Sequence, residues 1–481
     1  MKDSKLLQLF RTVKQEELRW LAKWVRSPYF NVNKQVVKLF DYLRKYGSDY
    51  HSPKLEKEKV FAHIFPGKPF DDNKLRYIMF CLTEQIEEFL MFELLKKDTF
   101  QRQRLLYSAL GERDLYELFD RKKTEITEQL ENDAFKDEYY YLAKWRLEHD
   151  HFFHPQTYRY KNASVYLQEM MQNLDAFFML AKIRYSTELR NRENIFSEEH
   201  EIPFVEETKE MASTHPIFGE NVIFKVYTDI LRLMEDLENE AVYQRLEENV
   251  THNLDLFRPT DQASLIRYMI NTTNQLYNKG KSEYIDKQFR LYKIGVEKEL
   301  FLHEGKLPDS TFLNIIVTAS MVGEFEWIEK FIAQLAPALL EEKQADAISL
   351  GTAYWYFGKN EFKSSLQLLQ KIESSDLQYL LRIKSLSIRC YFELFLTDDT
   401  YYELVTYESR AFEKFLRRNE LLSEKRVQGY LKFLSIILKL ASLKTHYKAN
   451  EKNLKQLRDK LEKEHTLIAR QWLREKIRQI M

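Results

Sequence analysis

The densest group of titratable side chains in the chain is Glu148-His149-Asp150-His151-Phe152-Phe153-His154. On a helix His151 and His154 share a face, and Glu148 joins His151 at i+3, a spacing suited to a metal pair or a proton relay. The run ends at Pro155, however, where histidines commonly satisfy the last carbonyls of a helix and complement its dipole. The structural role is the expectation. Elsewhere the chemistry is sparse. The sequence contains no G-x-x-x-x-G-K-[ST], no G-x-G-x-x-G and no H-E-x-x-H. Its two cysteines, Cys81 and Cys390, are isolated and too few for a structural zinc site of cysteine type. Both have apolar neighbours, which raise a thiol pKa and argue against a nucleophile. No catalytic residue, metal site or cofactor is assigned, and the chain is not expected to be an enzyme. An enzyme hidden around residues 140–160 is the weakest of three functional readings.

The best recognition candidates are polar rather than reactive. Arg267, Asn271, Asn274 and Asn278 stand at i, i+4, i+7 and i+11, which places all four on one face of a helix. Such a stripe either meets a ligand or is the ordinary solvated side of an amphipathic helix.

The elements that must position this stripe are marked by a repeated motif. Gly280-Lys281-Ser282-Glu283-Tyr284, Gly323-Glu324-Phe325-Glu326-Trp327 and Gly358-Lys359-Asn360-Glu361-Phe362 share the pattern G-x-x-E-aromatic, at steps of 43 and 35 residues. The chain has only 11 glycines in 481 residues, so three in one context indicate a repeat. A period in this range marks stacked helical hairpins. The pattern predicts helices over 261–278 and 282–301, 309–322 and 325–341, 344–357 and 360–373. A degenerate fourth pair follows over 376–396 and 399–418. Gly280, Gly323 and Gly358 are expected to end first helices in the left-handed conformation. Glu283, Glu326 and Glu361 are expected to complement the dipole of the second helices, and Tyr284, Trp327 and Phe362 to pack between paired helices.

The third unit resembles a tetratricopeptide repeat. Leu350-Gly351, Tyr354, Gly358, Phe362, Ser365-Leu366 and Leu369 follow that family's order of a Leu-Gly pair, a Tyr, a turn Gly, an aromatic, a small residue and a large apolar residue. The aromatic stands four residues after the turn Gly rather than two, and the other units keep only turn and aromatic. The likeness covers one unit well and about 150 residues loosely. It implies that first helices line a concave groove in which Asn side chains grip a peptide backbone, so the stripe at 267–278 would face that groove. The 35-residue step is also that of pentatricopeptide RNA binders, but their base-reading polar positions and basic surface are not evident.

Composition agrees with an all-α fold: Gly and Pro are rare, and 31% of residues are charged against 44% hydrophobic. The expected architecture is an α-solenoid with an N-terminal helical module at 1–98, an irregular helical-hairpin array at 99–260, tetratricopeptide-like repeats at 261–418 and C-terminal capping helices at 419–481. In the first module Thr12 and Gln15 read as a capping box, Asn33 as the cap of a helix stopping near Gly47, and Ser52-Pro53 as a cap with proline at N1. X-Pro steps at 154–155, 202–203, 215–216 and 258–259 read as helix boundaries.

Lys plus Arg and Asp plus Glu each number 74, a formal balance of zero that hides a polarity. Residues 1–60 hold 14 basic and 7 acidic groups (net +7), residues 193–248 hold 4 and 15 (net −11), and residues 441–481 hold 11 and 5 (net +6). Either these are unrelated solvated faces or the ends pair with the middle, in a homodimer for example. The amino terminus lacks a secretory hydrophobic region and no segment is apolar enough to span a bilayer, so a cytoplasmic protein without membrane association is expected. The leading reading is a non-catalytic scaffold binding a protein or peptide partner. The alternative is a regulator whose basic first module binds DNA. No helix-turn-helix signature supports it, and a nucleic-acid partner is not expected.

Overall fold

The computed structural model describes residues 4–45, 52–155, 157, 163–196, 200–214, 216–445, 451–463 and 467–480. Every element among them is helical, and no strand occurs. The chain divides into two compact units, Met1–Asp133 with Tyr139–Asp175, and Ala134–Glu138 with Ala176–Met481.

The first unit opens with α1 (Lys5–Thr12), α2 (Gln15–Arg26), α3 (Lys34–Arg44), α4 (Lys57–Ile64) and α5 (Asp72–Lys97). Their apolar stripes close over one core in which Leu7, Val25, Phe40, Phe61, Leu82 and Phe89 are fully or almost fully buried. Asn33 caps α3 through Gln35 N–H, and Ser52 caps a short 3-10 turn at Pro53 through Lys54 N–H, as expected. The box at Thr12 and Gln15 does not form. Thr12 is the last residue of α1, and α2 is capped one residue before Gln15, where Lys14 N–H donates to Glu17 at 2.8 Å. The helix expected to open at Thr12 therefore begins at Gln15, with its acidic third position accepting from the cap backbone. The expected stop at Gly47 and the step at His215 lie outside the described residues. The helices α6 (Thr99–Gly111), α7 (Tyr116–Glu131) and α8 (Glu138–Phe152) enclose a second small core around Tyr107, Phe119, Ile126 and Leu147. Then α9 runs from Ala163 to Phe196.

The second unit continues with α10 (Val205–Thr214), α11 (Pro216–Gly219), α12 (Val222–Glu235) and α13 (Glu240–Asn253). Arg184 of α9 joins the buried carboxylates of Glu138 and Asp261, and Arg258 joins Asp137. There follow α14 (Pro259–Lys279) and α15 (Tyr284–Glu297), α16 (Asp309–Val322) and α17 (Phe325–Leu335), α18 (Glu341–Gly358) and α19 (Phe362–Leu369), and α20 (Leu377–Thr397) and α21 (Tyr402–Arg418). The chain ends with α22 (Glu424–Thr445), α23 (Glu451–Lys463) and α24 (Arg470–Ile480).

The three glycine motifs fall at helix turns. Gly280 (φ +111°) and Gly323 (φ +81°) are left-handed, and Lys281 N–H to Leu276 O (3.1 Å) and Glu324 N–H to Ala319 O (3.0 Å) close the helix ends. At the third turn the expectation fails. Gly358 is the last residue of α18, and Asn360 (φ +61°) takes the left-handed position, with Glu361 N–H on Tyr356 O at 2.9 Å. Asparagine tolerates that conformation. Gly358 is needed for a different reason: a Cβ there would stand 2.9 Å from Ser320 Cβ and 3.1 Å from Ser320 O. The glutamates do not cap with their side chains. Glu283 and Glu361 occupy cap positions without a side-chain bond, and Glu326 lies in the first turn of α17. The ring contacts of the aromatics divide between the preceding pair and their own. Tyr284 meets Tyr243 of α13 (5.0 Å) and Trp327 meets Phe289 of α15 (5.1 Å), each in the preceding pair, whereas Phe362 contacts Phe357 of its own pair (5.5 Å). Edge-on contact with the previous hairpin stacks one pair on the next. Among the described residues no helix is long and apolar enough to cross a membrane.

Candidate ligand-binding cavity

Helix α14 carries its buried side chains, Leu265, Ile266, Met269, Ile270, Thr273 and Leu276, on one face. The opposite face presents Asn271, Asn274 and Asn278 to a cavity of about 390 Å³. Asn274 Oδ1 accepts from Asn278 Nδ2 at 3.4 Å. Arg267 does not join them: it lies outside the cavity lining and folds back so that Nε donates to Ala263 O of its own helix at 3.0 Å. A fixed helical spacing places four residues on one face, but this cavity begins a turn beyond the first of them.

Other helices complete the walls. Gln288 and Tyr292 come from α15, Asn314 and Thr318 from α16, Tyr354 from α18, Arg382, Ser385 and Arg389 from α20, and Arg426 and Tyr430 from α22. The last wall is residues 468–472, leading into α24. This segment docks on α14: Gln471 Nε2 donates to Tyr277 O at 2.6 Å and Arg470 Nη1 to Asn278 O at 3.1 Å. Gly280 makes room, since a Cβ there would lie 2.5 Å from the Arg474 guanidinium. On α20, Glu393 accepts from Trp472 Nε1 (2.6 Å) and pairs with Lys476 (2.7 Å), with Glu393 and Lys476 both largely buried.

The electrostatics are one-sided. Among the described residues four arginines, at 382, 389, 426 and 470, line the cavity, and no carboxylate does. Arg382 donates to Asn314 Oδ1 at 2.8 Å and Arg426 to Gln378 Oε1. The Arg389 guanidinium lies over the rings of Phe357 (4.4 Å) and Trp472 (5.3 Å), and its Nε is sealed from solvent without a hydrogen-bond partner. Burial pulls the Arg389 pKa below the ordinary guanidinium range. Tyr277 and Tyr292 are pushed up to about 12, first by burial, so their hydroxyls stay neutral at physiological pH.

The histidine cluster is arranged differently from a metal site. Glu148 is held by Lys123 (2.9 Å) and Asp150 by Arg104 (2.8 Å), while His151 Nδ1 stands 2.9 Å from the buried Tyr107 hydroxyl. His154 lies beyond the end of α8 against the Phe119 ring (4.5 Å). Among the described residues no group of three or more His, Cys, Asp or Glu is placed to hold a metal ion. A second cavity of about 520 Å³ adjoins His149 and His154. The Cys390 thiol is pushed up to about 12 by burial and contacts Ser365 Oγ at 3.5 Å.

The arginines were missed in the sequence, although a signal existed. In the largely apolar α20, Arg382, Ser385 and Arg389 stand three and four residues apart and form one polar stripe. Arg426 and Arg470 carry no comparable mark. No protein-family profile, no characterised protein and no solved structure matches this chain.

Proposed function

We propose that the chain is a non-catalytic binding scaffold, with α14–α21 an array of tetratricopeptide-like hairpins that takes a segment of a protein or peptide partner into the cavity beside Asn271, Asn274 and Asn278. The observation carrying this reading is the cavity itself. Three amides projecting from a repeat's first helix meet amides and hydroxyls from α15, α16 and α20 in a space within the roughly 300–1,000 Å³ range of ligand sites. Amide side chains supply both donors and acceptors, the complement of a peptide backbone. Among the described residues the lining contains no carboxylate, imidazole, thiol or amine, and none of the groups it does contain is suited to proton transfer near neutral pH. Ser385 and Thr318 have no base within the lining to activate them.

Affinity capture from native lysate with the wild-type chain and with an Asn271→Ala/Asn274→Ala variant tests the reading. The variant should lose the partner that the wild type retains. Equal retention by both proteins would refute the assignment of the cavity.

A further inference from the structure

Resting on that reading, we propose that the group anchored in the cavity is a phosphate, held by Arg389 together with Arg382 and Arg426. Three observations lead there. First, among the described residues the lining has four guanidinium groups and no carboxylate, and none of Arg382, Arg389 and Arg426 makes an ion pair there. Second, Arg389 lies against two π-faces with Nε lacking a hydrogen-bond partner, and among the described residues the only carboxylate acting on it is Glu393, which carries an ion pair elsewhere. Rings orient a cation and lower the cost of its burial, but they do not neutralise it or satisfy its N–H groups. The nearest carboxylate along α20, Glu393, is one turn further on and already joined to Trp472 and Lys476. Third, donors remain. A guanidinium carries five N–H groups, whereas Arg382 bonds only the Asn314 side chain and Arg426 the side chains of Gln378 and Tyr430.

A single carboxylate brings one charge and two oxygens. A phosphate monoester brings close to two charges and three strong acceptor oxygens, and it matches the planar fork of arginine in bidentate fashion. Neutral Tyr277 and Tyr292 add hydroxyls to the walls, and Asn271, Asn274 and Asn314 meet the rest of the ligand. The phosphate belongs either to a free phosphorylated compound or to a phosphorylated side chain of the partner, and the anchoring chemistry is the same.

The test is titration calorimetry on the full chain at constant ionic strength, with pyrophosphate, a phosphoserine peptide and its unphosphorylated form, and acetate as the monovalent control. Saturable binding of pyrophosphate supports the proposal and a free compound as the source. Binding of the phosphopeptide but not its unphosphorylated form supports it and places the phosphate on a partner. In either case Arg389→Met should weaken binding by about 30-fold or more, the loss expected when one side of a buried charged contact is removed. Arg382→Gln, at a more peripheral site, provides the same readout should Arg389→Met misfold. The proposal is overturned if neither phosphate probe binds, if acetate binds as well, or if both arginine variants bind like wild type. Should the asparagine variant lose its captured partner while the arginine variants retain it, the phosphate anchor falls and the scaffold reading stands. Retention by all of them removes both.

Discussion

His151 is a neutral group locked inside the first unit, and lowering the pH should release it. It is 4% exposed, its ring stacks on Phe119 (16° between planes), and Nδ1 faces the Tyr107 hydroxyl at 2.9 Å. Burial, then the charge of Lys123, then His154, lower its pKa from 6.5 to about 4. A neutral imidazole lets Nδ1 accept from the Tyr107 O–H, whereas the protonated ring makes both nitrogens donors and forces that hydroxyl to turn. Because the folded pKa lies below the unfolded one, the unfolded chain binds the proton first as pH falls. The contribution is complete above about pH 6.5, declines as pH drops toward 4, and is flat below that. A depression from 6.5 to about 4 corresponds to at most about 3 kcal/mol, and partial solvent screening brings the expectation to about 2 kcal/mol. Many carboxylates titrate in the same window, so the measurement is a difference. Denaturant unfolding of the wild type and of His151→Asn, which keeps an acceptor near the Nδ1 position, is compared from pH 7.5 to pH 4. The wild type should lose about 2 kcal/mol more than the variant over that interval. An identical loss in both proteins, or a His151 NMR titration midpoint near 6.5, would refute the reasoning.

Two further predictions concern the second unit. Gly358→Ala places a methyl group 2.9 Å from Ser320 Cβ and 3.1 Å from Ser320 O, and should cost about 1–3 kcal/mol through displacement of α16 from α18. Gly323→Ala meets no atom within 4 Å and should cost about 1 kcal/mol from its left-handed backbone alone, a penalty that Gly323→Asn largely avoids but that Asn cannot relieve at Gly358. Urea midpoints of the four proteins decide it, and an Asn rescue at both positions or at neither counts against the turn assignment. Lys476→Met leaves the buried Glu393 with Trp472 Nε1 alone, and should loosen α24 by about 3 kcal/mol. Hydrogen exchange over residues 470–480 should quicken accordingly, and unchanged protection would show that this pair does not hold the helix.

The helices were legible in the sequence because their signals are local. Apolar spacing and the scarcity of breakers yield the pairs over 261–418 to within a few residues for most boundaries. Gly280 and Gly323 turn the chain where the motif places them. Gly358 shows the limit. A glycine reads the same in sequence whether it serves a left-handed turn or a close helix crossing, and only the contact with Ser320 distinguishes them. The cavity divides in the same way. Asn271, Asn274 and Asn278 share one helix face and line the cavity, whereas Arg267, at the same spacing, lies outside its lining, because periodicity does not show where a cavity ends. The arginines at 382, 389, 426 and 470 come together only through tertiary packing, and the docking of residues 470 and 471 on carbonyls at 278 and 277 spans almost two hundred positions. Backbone carbonyls leave no side-chain trace of their partners.

That docking bears on the proposed anion site, because one residue belongs to both. The Trp472 ring covers the Arg389 guanidinium, and its Nε1 donates to Glu393, which also holds Lys476 of α24. If Glu393 turned to Arg389, the cavity would lose its unpaired cation and α24 would lose its buried anchor. The two uses of one carboxylate exclude each other. As folded, the carboxylate bonds the terminal helix, and Arg389 lines the cavity without an ion pair. An anion bound there would make that division favourable on both sides: Arg389 gains a partner, and Glu393 is no longer drawn toward it. Occupancy of the cavity and protection of α24 should therefore rise together, since a ligand that binds only the docked form stabilises it by mass action.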